Sequence, residues 1–95
     1  MRGVDLAIYA DALAGEAASL AARVERARSR LHQAAIEKRA RRELRPVAVE
    51  RLETLGVFGS VDEAATRTEL RELEAALDAV EELQTWLEHE LSSAV

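Results

Sequence analysis

Between residues 6 and 34 the apolar side chains recur at steps that alternate between four and three: Leu6, Ala10, Leu13, Ala17, Leu20, Val24, Ala27, Leu31 and Ala34. A helix of 3.6 residues per turn brings such positions onto one side, whereas a strand, with period two, scatters them over both faces. Held over four repeats, the pattern is the heptad seam of a coiled coil. A second seam, Leu70, Leu73, Leu77, Val80, Gln84, Leu87 and Leu91, follows the same rule after a turn. Each seam needs a partner to bury it. The sequence therefore predicts an all-α protein, an antiparallel coiled-coil helical hairpin. Ala7, Ala14, Ala21 and Ala35 are expected to widen the first stripe, and Ala76 and Leu83 the second. Small seam residues allow two helix backbones to approach closely. Gln84 is the one polar seam residue, a type that often fixes register.

The breaks between helices are few, because the chain holds one Pro and four Gly. A first helix is expected over about residues 4–44, with Gly15 on its outer face. The residue before a proline disfavours the helical region, so Arg45-Pro46 ends it. Pro46 can open a short helix over about 46–55 as its first residue. Ala48, Leu52 and Leu55 would share one face of that helix, and Gly56 would stop it in a left-handed conformation. Val57 and Phe58 are apolar inside the turn and are expected to pack back over the hairpin end. Ser60 and Glu63 read as a capping box that starts a third helix over about 61–92. The whole chain, 1–95, reads as a single helical domain.

Composition narrows this further. Hydrophobic residues make up 48%, yet nineteen are Ala, and there is one each of Phe, Trp and Tyr. A compact core of large side chains is not available, and a chain of 95 residues buries little surface alone. One hairpin buries one stripe per helix and leaves flanking apolar residues over. Ile8, Tyr9, Ile36, Leu83 and Trp86 lie off the central seam. The predicted interface residues are Leu83, Trp86, Leu87, Ile8 and Tyr9, and the predicted assembly is a homodimer forming a helical bundle. Trp86 is the candidate anchor, since partly exposed Trp residues are common at interfaces. The alternative for it is packing against Ile8 and Tyr9 within one hairpin.

Charge is uneven. Residues 23–51 hold ten Arg or Lys against four Glu, and residues 62–90 hold ten Asp or Glu against two Arg, within a net charge of −5. The basic residues concentrate in KRARRELR, with Lys38, Arg39, Arg41, Arg42 and Arg45. Continuing the first seam past Ala34 gives Lys38, Arg41 and Arg45, so the apolar stripe would turn basic. The favoured expectation is that these cations meet Glu50, Glu53, Asp62, Glu63 and Glu69, helped by the negative helix end. Glu37–Arg41, Arg39–Glu43 and Glu63–Arg67 are expected helical pairs. An acidic protein partner or an anionic membrane surface is a second use of the stretch. Nucleic acid is disfavoured: the chain is acidic overall, no aromatic lies in the stretch to stack on a base, and Glu37 and Glu43 interrupt it.

No constellation for chemistry is visible. With no cysteine, neither disulfides nor thiolate metal sites can form. His32 and His89 lack ligand-type neighbours at helical spacing and read as surface residues. No phosphate-cradling glycine loop occurs, since Gly56 and Gly59 fall in the turn. Ser19, Ser29, Ser60, Ser92 and Ser93 suit caps or surface. No catalytic, cofactor-binding or metal site is therefore expected. No apolar run approaches the roughly 20 residues a membrane helix needs. Asp5, Asp11 and Glu16 break what a secretory signal would keep uncharged. The expected location is the cytoplasm. The expected role is a non-enzymatic helical protein-interaction module (assembly, adaptor or chaperone-like). The alternative is a small nucleic-acid-binding or nucleoid-associated protein using residues 38–45.

Overall fold

The seams are covered where the periodicity places them. The computed structural model describes residues 3–59 and 61–93. It contains α1 (Gly3–Glu43), α2 (Pro46–Thr54) and α3 (Glu63–Ser93), with no strand among the described residues. The fold is an all-α helical hairpin with a short middle helix. Each α1 seam residue from Leu6 to Ala34, and each α3 seam residue from Leu70 to Leu91, is buried or half-buried. Of the flanking alanines, Ala21 is half-buried, while Ala7, Ala14, Ala35 and Ala76 stay exposed. The covered stripe is thus narrower than the run of alanines suggests.

The chain divides into two compact units, one of Met1–Glu25 with Arg71–Val95, the other of Arg26–Leu70. In the first, Leu13, Leu20, Val24, Leu73 and Leu87 form the core. Burying a leucine fully contributes about 1.5–3 kcal/mol, so these few side chains carry much of that unit's stability. Ala10, Ala14, Gln84, Leu87 and Leu91 border a shallow hollow there of about 170 Å³. In the second unit Ala27 and Ala34 are buried, together with the polar Glu37 and Thr66. Its partners run in opposite senses along the chain: Arg30 pairs with Glu69, and Glu37, further along α1, binds Gly59. That order is antiparallel.

The turns follow local chemistry. Arg45 is extended, with φ −66° and ψ 145°, as a residue before proline prefers, and Pro46 opens α2. The end of α2 is a Schellman motif: the Gly56 N–H donates to the Glu53 carbonyl and the Val57 N–H to the Leu52 carbonyl. Gly56 sits at φ 73° to permit this, with open space where a Cβ would be. Gly56→Ala should therefore destabilise by about 1–2 kcal/mol through backbone strain alone. Urea unfolding would register it as a lower midpoint at unchanged slope; an unaltered midpoint would mean the turn does not need the left-handed residue.

Two local expectations change. Leu55 does not share the covered face of α2 with Ala48 and Leu52; it is 75% exposed. As the C-cap it lies where the Schellman turn redirects the chain, and Val49 is half-buried instead. At the start of α3, the Asp62 carboxylate accepts the Ala65 N–H at 3.0 Å and caps the helix. Ser60, the expected cap, lies outside the described residues.

Candidate functional site

Two surfaces stand out: the basic stretch around the end of α1, and the apolar side chains that no seam covers. The basic stretch is partly consumed by internal pairing. Arg41 reaches Glu53 at 2.6 Å and lies over the Phe58 ring, 4.9 Å from its centroid. Phe58 therefore packs back over this end as expected, but Val57 remains exposed. Arg39 pairs with Glu43, and Arg67 with Glu63, both at the expected helical spacing. Arg30, outside the stretch, takes Glu69. All these pairs are solvent-exposed, and each is worth about 1 kcal/mol or less.

The expected Glu37–Arg41 helical pair is replaced, since Arg41 turns to Glu53. Glu37 is only 8% exposed, and one carboxylate oxygen accepts from the Gln33 side-chain amide at 3.0 Å and from the Gly59 N–H at 2.9 Å. The basic stripe does not continue the buried seam either: Lys38, Arg41, Arg42 and Arg45 are all exposed. Beside the seam it is Glu37 that the returning loop covers. Lys38, Arg42 and Arg45 make no ion pair among the described residues.

The two hydrogen bonds to Glu37, Gln33 first and Gly59 second, with the charge of Arg41, hold its carboxyl below the ordinary value of 4.5 against the opposing effect of burial. A carboxyl depressed in the folded state stabilises it above the unfolded-state value, and that contribution is lost as pH falls through the folded value. Melting temperature should thus drop as pH is lowered below about 4.5. Glu37→Gln, which cannot titrate, should flatten that part of the profile. Superimposable profiles for the two proteins would show that Glu37 is not a source of the acid sensitivity.

The apolar surface is larger than the sequence expectation. Ile8, Tyr9 and Trp86 are exposed, Trp86 at 55%, and Leu83 is half-buried. Leu87 is not available to a partner: at 2% exposure it is a core residue, because it lies on the α3 seam itself. Ile36 is exposed on α1. The missed feature is the exposed face of α2. Val47 and Leu55 face solvent, and with Glu50, Arg51 and Thr54 they line an open groove of about 430 Å³. The signal was present: Val47, Arg51 and Leu55 are spaced four apart and so share one helix face.

Among the described residues, no group of three or more His, Asp and Glu is arranged to hold a metal ion, and no helix is long and apolar enough to cross a membrane. His32 and His89 are both exposed. No protein-family model, curated protein or solved structure matches the chain.

Proposed function

We propose that the chain is a non-enzymatic helical interaction module, an assembly, adaptor or chaperone-like element of the cytoplasm, and that it works as a homodimer. The observation that carries this reading is the uncovered apolar surface: Ile8, Tyr9, Ile36, Val47, Leu55 and Trp86 all stand outside the seams. A nucleic-acid role has weaker support, because Arg39 and Arg41 are already occupied by Glu43 and Glu53.

Light scattering tests the reading. Twice the 10.5 kDa chain mass at micromolar concentration is the expected result. A mass of one chain at every concentration would overturn self-association.

A further inference from the structure

The dimer contact has a specific form. We infer that Trp86 on α3 of one copy seats in the α2 groove of a second copy, between Val47 and Leu55 and against Arg51. This rests on the homodimer reading above and adds which faces meet.

Charge complementarity carries the argument. The unit that contains Trp86 holds eleven acidic and three basic residues, a net −8; the unit that contains α2 holds seven acidic and ten basic, a net +3. Like units of two copies repel or gain nothing, whereas unlike units attract. The local patterns match in the same sense. Trp86 has Glu82 four residues before it and Glu90 four after, which places all three on one face of α3. The α2 face reads Val47, Arg51, Leu55 at the same spacing, with Arg42 and Arg45 just before the helix. An acidic rim around an aromatic thus faces a groove in which Arg51, with Glu50 beside it, lies between two aliphatics and next to Arg42 and Arg45, unpaired among the described residues, which precede the helix in sequence.

The residues on both sides are available. Trp86 is 55% exposed, Val47 62% and Leu55 75%. Arg42, Arg45 and Arg51 make no ion pair among the described residues. Arginine stacks readily on aromatic faces, and Arg41 does so on Phe58 within this chain. Arg51 offers the same contact to an incoming indole. Val47 and Leu55 supply the apolar walls, and Glu82 and Glu90 take Arg45 and Arg51. Made reciprocally, the contact occurs twice per dimer.

Trp86 is the only tryptophan, so it reports directly. Its emission should shift to the blue over the same concentration range in which light scattering shows dimerisation. Leu55→Asp, at a 75% exposed position, should weaken the dimer at least tenfold and remove the shift while the helical circular-dichroism signal is kept. Arg45→Glu with Arg51→Glu should weaken it similarly. Adding Glu82→Arg and Glu90→Arg to that double variant should restore it, an outcome misfolding cannot mimic. A wild-type dimer with unchanged Trp86 emission overturns the inference and leaves the homodimer reading standing. So does a Leu55→Asp protein that still dimerises with a blue-shifted Trp86, because the indole then meets another surface. A monomeric wild-type chain removes both.

Discussion

Leu87→Ala should cost about 2–5 kcal/mol, the range for emptying a buried leucine site. Leu87 is 2% exposed and is the largest fully buried side chain. Few other large groups share the work: Leu13, Leu20 and Leu73 are the other buried leucines, and the rest of the buried apolar set is Val24, Ala27 and Ala34. A small domain has about 5–15 kcal/mol in total, so this single truncation removes a large fraction. Each kcal/mol lowers the melting midpoint by about 4–8 °C in a domain of this size. Thermal melting followed by circular dichroism gives the number directly. A loss under about 1 kcal/mol would mean that the neighbouring side chains close over the space, which the sparse seam leaves little material to do.

Ala27→Leu tests the opposite limit. Ala27 is 0% exposed, so its methyl group has no solvent to grow into. Three extra carbons there force rotamers or backbone to shift, at about 1–3 kcal/mol. Leucine is otherwise an excellent helix former, so propensity does not explain a loss. Ala22→Leu on the exposed side of α1 supplies the comparison and should stay within about 0.5 kcal/mol of wild type. Chemical denaturation of the pair separates position from residue type. Equal midpoints would mean that α1 is not closely covered at Ala27.

These two experiments probe what the sequence states most clearly. The four-three spacing from Leu6 to Ala34, and from Leu70 to Leu91, is a long-range regularity that only a helix seam satisfies, and every position it specified is buried or half-buried. Pro46 and Gly56 marked the ends of α2 because each has a backbone preference of its own. Glu37 was illegible for the opposite reason. Its burial depends on the N–H of Gly59, 22 residues away, needing an acceptor where the loop returns. Periodicity does not encode the route of a loop. Thr66 stands one heptad before Leu73 and could have been read as seam, but a single threonine there carries no apolar signal. Leu55 looked like core by spacing and is surface because the helix ends beneath it. The α2 groove was missed along with it.

The separation of partners along the chain also sets the order in which the fold can be built. Arg41 and Glu53 are 12 residues apart, Glu37 and Gly59 are 22, and Arg30 and Glu69 are 39. The hollow bordered by Ala10 and Leu91 joins positions far more distant in sequence. Closing a loop costs entropy that grows with the logarithm of its length, so contacts near α2 form most cheaply and each shortens the loop left for the next. Folding should then proceed as a zipper from α2 outward. Hydrogen exchange would run the sequence backwards, with amides near residues 10 and 91 opening at lower free energy than those near Ala34.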